Sequence, residues 1–420
     1  MCNNIGPRLS GSLQAERAVE YVAGEMRRLG LKVQLEELKV PHWVRGQETG
    51  ALVQFPGMAQ GTTQKVVLTA LGGSVATPAT GLTAEVVVVE NFAELQALGR
   101  NKVQGKIVLF NKKFDQQMAA QGFGGDAYGQ VVAYRGGGAS AAARIGAVAA
   151  LVRSVGGSQN RLVHTGSVRY ADDAPKIPAA AVSNEDAEMI AHLAPQGLVR
   201  LRLVLTPQQL PDAVSHNVIA DIPGTEFPEQ IVIVSGHLDS WDLGTGAIDD
   251  AAGVAMAMQT MQLIKKLGLR PKRTIRFIAW MNEENGLVGG RTYARNQQAN
   301  IANHFAAIES DRGAGHPLGF YFAGKREIEP MLAPISAILS ASGAGLSQWV
   351  ESSPEADIIP LFAAGVPAFG LWQDTRTYFN YHHTEADTLD KVDPRELAEN
   401  AAVMTVLAYG LANLEQPLPR

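Results

Sequence analysis

Residues 231–255 read IVIVSGHLDSWDLGTGAIDDAAGVA. Four consecutive β-branched apolar residues at 231–234 mark a strand buried on both faces, the pattern of a parallel sheet. That strand runs into His237 and Asp239, passes Gly244 and Gly246, and reaches Asp249 and Asp250 in front of a helical pattern that ends near Leu267 and Gly268. Either Asp249 or Asp250 caps the helix, or the acids and the histidine hold a metal. Glycines in such a loop let it fold back, so that side chains distant along the chain can meet.

The same rhythm of strand and helix continues downstream, which predicts an α/β domain. Strands are expected at residues 274–280, 305–308 and 320–322. A final helix is expected over residues 394–414, with Asp393 as N-cap and Pro394 at its first position. Upstream, Ala15, Ala18, Val19, Val22, Ala23 and Met26 recur at helical spacing before Gly30, so the chain opens with an amphipathic helix. Strand patterns follow at residues 32–40, 51–55 and 65–70. Residues 85–205 differ in character: short strands at 85–90, 106–110 and 199–205, a glycine-rich stretch at 122–138, and an alanine-rich helix at 139–155. His164 and His192 stand isolated there, and Asp172 and Asp173 fall in a polar loop. This section reads as an inserted domain. The expected organisation is therefore residues 1–84 and 206–420 as one domain, interrupted by residues 85–205.

With 46% apolar and 18% charged residues the chain is an ordinary globular protein, long enough for a large domain and a smaller one. The net charge of -5, from 41 acids and 36 bases without a long run of either sign, disfavours nucleic acid as a partner. Cys2 is the only cysteine, which excludes an internal disulfide and a thiolate zinc site. No apolar run reaches the length of a membrane span.

Three strands of the second half end in residues of one chemical kind. The first ends in His237 and Asp239, with Asp249 and Asp250 following; the second leads to Asn282, Glu283 and Glu284; the third leads to Glu309 and Asp311. In an open α/β sheet the carboxyl ends of strands line one crevice. Tyr381, His382, His383 and Asp387 near the C-terminus are further candidates for it. Apart from Arg312, no Lys or Arg falls inside these clusters, and gathered carboxylates must be paired or must coordinate metal. Imidazole and carboxylate without thiolate suit zinc, with manganese or cobalt as substitutes. The competing readings are plain: a cap for Asp250, a solvated loop for Glu283 and Glu284, a structural histidine for His383.

The stretches GHLDSWDLGTGAIDDAAG, FIAWMNEENGLVGG, AAIESDRG and YFNYHHTEADT resemble the co-catalytic di-zinc exopeptidase family that includes carboxypeptidase Q, bacterial leucyl aminopeptidases and glutamate carboxypeptidase. The opening GPRLSGS and the double histidine are similar to the carboxypeptidase Q branch. The resemblance implies a mixed, largely parallel central sheet flanked by helices, with residues 85–205 as a protease-associated-like α/β insertion. It implies two zinc ions, one held by His237 and Asp311, the other by Glu284 and His383, with Asp249 bridging both. Glu283 would be the general base, and His382, in the place of a tyrosine of glutamate carboxypeptidase relatives, would stabilise the oxyanion. Asp239 would accept a hydrogen bond from His237, and Asp387 would act likewise near His383. Asp250 is left with the cap. Arg312 stands where the branch commonly has a small residue. Small peptides are the implied substrates, cleaved by an aminopeptidase or dipeptidase activity; a homodimer and an exported location are the implied assembly and setting.

Two rivals share the fold: a binding protein that has lost its metals, as in the transferrin receptor, and a one-zinc glutaminyl cyclase. The complete set of ligand types argues against the first, and metal content with hydrolysis against cyclisation tests the second. The absence of GxSxG and HExxH removes a serine hydrolase and a zincin.

Overall fold

A computed structural model describes residues 1–420, and the chain divides into two compact units. The first comprises Met1–Pro41, Asp212–Asp374 and Asp387–Arg420; the second comprises His42–Pro211 and Thr375–Ala386.

The first unit is built on an eight-stranded mixed sheet, in the order Val33–Val44, Gln208–Ile222, Arg273–Trp280, Phe227–His237, His304–Glu309, Ala368–Gln373, Pro317–Ala323, Leu346–Val350. Its four central strands, from Arg273–Trp280 to Ala368–Gln373, run parallel. Residues 231–234 are buried in the middle of this group, as their unbroken apolar run requires, and each such side chain contributes roughly 1.5–3 kcal/mol by burial. Helices Leu13–Arg28, Ala252–Lys266 and Pro394–Ala412 give their apolar faces to one core with the sheet. Their ends follow the sequence. Ser12 accepts from the Ala15 N–H at 3.1 Å, Gly30 and Gly268 take positive φ just past their helices, and Asp393 accepts from Arg395 and Glu396 ahead of the last helix.

The second unit has its own eight-stranded sheet, in the order Gln64–Val66, Glu48–Gln54, Arg200–Leu205, Leu82–Val89, Ile107–Phe110, Ala149–Arg153, Ala179–Val182, Leu68–Ala70. The boundary expected after residue 84 therefore lies near residue 42. Strands Glu48–Gln54 and Leu68–Ala70 pair with partners far along the chain, Glu48 opposite Leu205 and Leu68 opposite Val182, and local composition carries no trace of such pairings. The alanine-rich helix expected at 139–155 is also corrected. The helix is Val132–Arg144, Gly146 turns the chain at φ 89°, and Ala149–Arg153 becomes a buried parallel strand. Gly138 lies in that helix because a Cβ there would come within 2.8 Å of the Phe110 ring.

Residues 375–386, expected to belong with the C-terminal part of the first domain, are the second correction to the boundaries. Aromatic packing explains it: Phe379 stacks on Tyr128 with ring centroids 4.8 Å apart and also meets Phe114. This holds the YFNYHH segment to the second unit.

Candidate metal and catalytic site

Three adjacent parallel strands bring the first cluster together. His237 lies in register with Trp280, and Ser235 with Glu309, so residues 237–239, 282–284 and 309–311 emerge at the same sheet edge. His237 is fully buried. Its Nδ1 is 3.0 Å from the Asp239 carbonyl oxygen, and its Nε2 is 3.0 Å from Asp249 Oδ1 and 3.1 Å from Asp311 Oδ1. Asp249 is reached through a turn that begins at Gly246, φ 56°, where a Cβ would collide with Ser240 at 2.3 Å. The peptide joining Asp249 to Asp250 is cis.

The two aspartates divide their tasks. Asp249 points to His237, and their donor atoms lie within 4.8 Å of one another and of Glu284. Asp250 accepts from the His237 backbone N–H and, as expected of a cap, from Gly253 N–H, each at 2.9 Å. Its place is shaped by two glycines: a Cβ at 236 or 253 would come within 2.6 Å of its carboxylate. The donor atoms of His237, Asp250 and Asp311 also lie within 4.8 Å of one another, so Asp250 adjoins the candidate metal-binding set.

Asp239 meets the His237 ring through its backbone carbonyl and not through its carboxylate. Its carboxylate oxygen is 3.9 Å from His237 Nδ1, whereas its own backbone carbonyl is the ring's acceptor. The carboxylate instead accepts from Asn282 N–H at 2.7 Å and Glu283 N–H at 3.0 Å, fixing the turn that carries the candidate base. Asp387 holds the facing turn, with Oδ1 accepting from Ala247 N–H at 2.7 Å and Ile248 N–H at 2.8 Å. Glu284 accepts from the Trp241 N–H at 3.2 Å. Arg312 pairs with Glu355 at 3.0 Å, and its charge also favours the ionised form of Asp311.

The donor set fits a divalent cation. With Nδ1 donating to the Asp239 carbonyl, Nε2 presents its lone pair to two carboxylate oxygens, an arrangement that only a proton or a metal reconciles. Burial, the largest influence, opposes a charged His237 ring, yet Asp311 and Asp249 together raise it well above its ordinary value. Burial likewise pushes Glu283, Asp250 and Asp311 up, each reinforced by neighbouring carboxylates. A cluster this acidic and this dry calls for positive charge.

His382 and His383 belong to the second unit. Their rings stack at 3.7 Å with planes 20° apart. The Thr165 carbonyl lies 3.3 Å from His383 Nδ1 and 3.4 Å from Arg135 Nη1, and Arg135 Nη1 is itself 3.4 Å from His383 Nδ1. Sequence reasoning set His164 aside, and the structure places it here: its Nε2 is 2.9 Å from His382 Nδ1. Burial first, then the charges of His382, His383 and Arg135, hold the His164 imidazole well below its ordinary value, so it is neutral. No periodicity or motif marks His164 or Arg135. The one clue for Arg135 is Gly166, where a Cβ would lie 2.4 Å from the guanidinium.

A parallel α/β sheet with carboxylates and a histidine converging at its strand ends defines a class of metal-dependent hydrolase sites, and the comparisons place the chain within it. The chain belongs to peptidase family M28, whose description matches residues 217–408. It is 40% identical to carboxypeptidase Q of Xenopus laevis and 38% identical to that of Homo sapiens, in each case over the whole chain and 85% of the relative. Among solved structures, a peptidase M28 precursor from Shewanella amazonensis superposes with a TM-score of 0.93 at 38% identity, covering all of this chain and 93% of that one. A zinc aminopeptidase from Bacillus subtilis shares the fold at 20% identity, with a TM-score of 0.70 and coverage of 99% and 96%. No helix is long and apolar enough to cross a membrane.

Proposed function

We propose that this protein is a zinc-dependent exopeptidase that hydrolyses peptide bonds of small peptides, as an aminopeptidase or dipeptidase of the carboxypeptidase Q kind. The observation that carries this reading is His237, whose Nε2 meets Asp249 and Asp311 while its Nδ1 is occupied by the Asp239 carbonyl. On the family motif, His237 and Asp311 would hold one zinc and Glu284 and His383 the other, with Asp249 serving both; manganese or cobalt could replace zinc. When bound, such a pair of ions supplies Lewis acidity to a peptide carbonyl and makes water a better acid. The second unit is read as the protease-associated-like insertion of that family.

Glu283 does the proton work. Its carboxylate takes a proton from the attacking water as the C–O bond forms, then delivers it to the amine nitrogen as the C–N bond breaks. Asp239 fixes the backbone of Glu283 for this task. His382 donates a hydrogen bond to the oxygen on which negative charge develops.

Glu283→Gln keeps the size of the side chain but cannot accept the proton. Zinc content should be unchanged while kcat on an unblocked dipeptide falls by about 10²–10⁴-fold. Full activity of that variant would overturn the mechanism. Zinc-free purified protein without chelator-sensitive hydrolysis would favour a binding role, and cyclisation of peptides with N-terminal glutamine would favour the cyclase reading. Parallel assays with free and N-blocked dipeptides read out which end of the substrate is recognised.

A further inference from the structure

The turn after the third strand of the site carries a guanidinium that the assigned roles leave unused. Arg312 follows Asp311 directly; its Nε donates to both oxygens of Glu355, at 3.0 and 3.3 Å, and its Nη2 donates to the Pro354 carbonyl at 2.6 Å. These contacts occupy two of the five N–H groups of a guanidinium and leave both of those on Nη1 without an acceptor in the protein. Nη1 is not sealed from water, since the Arg312 side chain is 34% exposed against 4% for Glu355.

The sheet beneath prepares the place of this group. Tyr321 lies opposite Gly370 and Gly319 opposite Trp372 in antiparallel register, so the alternation of the strands puts Tyr321, Gly370 and Trp372 on one face. Glu355 fills the space over Gly370, where a Cβ would come within 2.7 Å of its carboxylate. The Arg312 guanidinium lies over the Tyr321 ring, 5.4 Å from its centroid, and Tyr321 stacks on Trp372 with centroids 4.8 Å apart. Both rings are only half-buried. Strand Ala368–Gln373 runs parallel to His304–Glu309, so Trp372, near its carboxyl end, lies towards the edge from which Asp311 emerges. An ordered guanidinium and two aromatic rings thus border the candidate metal site.

We propose that Arg312 is a specificity-determining residue whose Nη1 receives a carboxylate of the peptide substrate. This rests on the exopeptidase reading and adds the chemical class of the group recognised beside the scissile bond. The anionic groups of an unmodified peptide are its C-terminal carboxylate and its Asp and Glu side chains, and each offers the same charged acceptor to Nη1. The competing explanation is an ion pair that serves Glu355 alone. A guanidinium devoted to one carboxylate grips it best with two parallel N–H groups. Arg312 gives Glu355 only Nε, while the Pro354 carbonyl and the Tyr321 ring hold the guanidinium in an orientation that leaves Nη1 open.

The test uses the full zinc-loaded chain and matched pairs of peptides: Ala-Ala against its C-terminal amide, Asp-Ala against Asn-Ala, and Ala-Asp against Ala-Asn. The first pair reads the terminal carboxylate, the others a side chain on either side of the scissile bond. In one of these pairs the parent should favour the acid by roughly 10- to 100-fold in kcat/KM, the range of a charge-assisted hydrogen bond. Arg312→Lys keeps a positive charge beside Glu355 but has no Nη1, and in it that ratio should fall to within about threefold of one. Arg312→Gln combined with Glu355→Gln, which removes the pair without stranding a buried charge, should lose the preference as well. A parent that favours the acid in no pair, or a ratio that stays at the parental value in either variant, overturns the proposal. A role confined to stability has that second outcome, since it lowers the thermal midpoint and the rates on both members of a pair together. If the double variant fails to fold, Arg312→Lys decides. A parent that hydrolyses none of these peptides removes the exopeptidase reading and this subsite with it; hydrolysis with unaltered ratios in the variants removes the subsite alone.

Discussion

At Asp239 the carboxylate accepts from two consecutive N–H groups, those of Asn282 and Glu283, and the residue is fully buried. The carboxylate thus serves the turn of the base, while the backbone carbonyl of the same residue serves His237. Asp239→Ala would strand two buried donors, each costing about 1–3 kcal/mol, and release the turn on which Glu283 stands. Asp239→Asn keeps an oxygen acceptor in the same place. We therefore expect kcat to fall at least about tenfold more in the alanine variant than in the asparagine variant, with zinc content similar in both, because the acceptor of His237 is a backbone carbonyl that neither change removes. Equal zinc loss in the two variants, measured by metal analysis, would return Asp239 to the role of steering His237. The HxD spacing alone could not separate these possibilities, because both the carbonyl and the carboxylate of Asp239 are within reach of a ring two residues away.

Among the elements, the segment ahead of the first helix does more than begin the chain. Arg8 is fully buried, with Nε donating to the Leu238 carbonyl at 2.8 Å, Nη1 to Thr245 at 2.6 Å and Nη2 to Gly246 at 3.0 Å. The three carbonyls flank the loop between His237 and Asp249, so one guanidinium pins both ends of it. Lysine cannot reproduce a planar fork of donors. Arg8→Lys should therefore lower the thermal midpoint and raise the zinc dissociation constant, with a loss of roughly 2–4 kcal/mol in stability from carbonyls left without charged donors. A variant with parental midpoint and zinc affinity would show that the loop holds its shape unaided. The elements of this unit were legible in the sequence because their signals are local: the apolar run at 231–234, the caps at Ser12 and Asp393, and the turn at Gly268. Those of the second unit were less so. Ala149–Arg153 has alanine-rich composition, which favours a helix in isolation, but burial between parallel strands decides otherwise. His164 was invisible for the same reason, since its partner lies 218 residues away.

At the scale of the whole molecule, the metal-binding set ties local chemistry to stability. Among the candidate ligands, His237, Asp249, Glu284 and His383 are buried and Asp311 is nearly so. Burying these acids together as carboxylates disfavours the folded state unless positive charge accompanies them. The unfolded chain holds the ligands apart and cannot match the native site, so zinc bound at the proposed site would stabilise folding by RT ln(1 + [Zn]/Kd), about 4 kcal/mol at a thousandfold excess over Kd. Chelation should accordingly lower the unfolding midpoint and leave a protein whose midpoint rises again with added zinc. A conservative change at a ligand should abolish that response: Asp249→Asn retains the shape of the side chain but removes the charge proposed to bridge the ions. Calorimetry of the parent and of Asp249→Asn, each with zinc and with chelator, measures this directly. If the parent midpoint is indifferent to zinc, or if Asp249→Asn responds to it as fully as the parent, the buried acids are serving the fold without metal, and the hydrolytic reading loses its foundation.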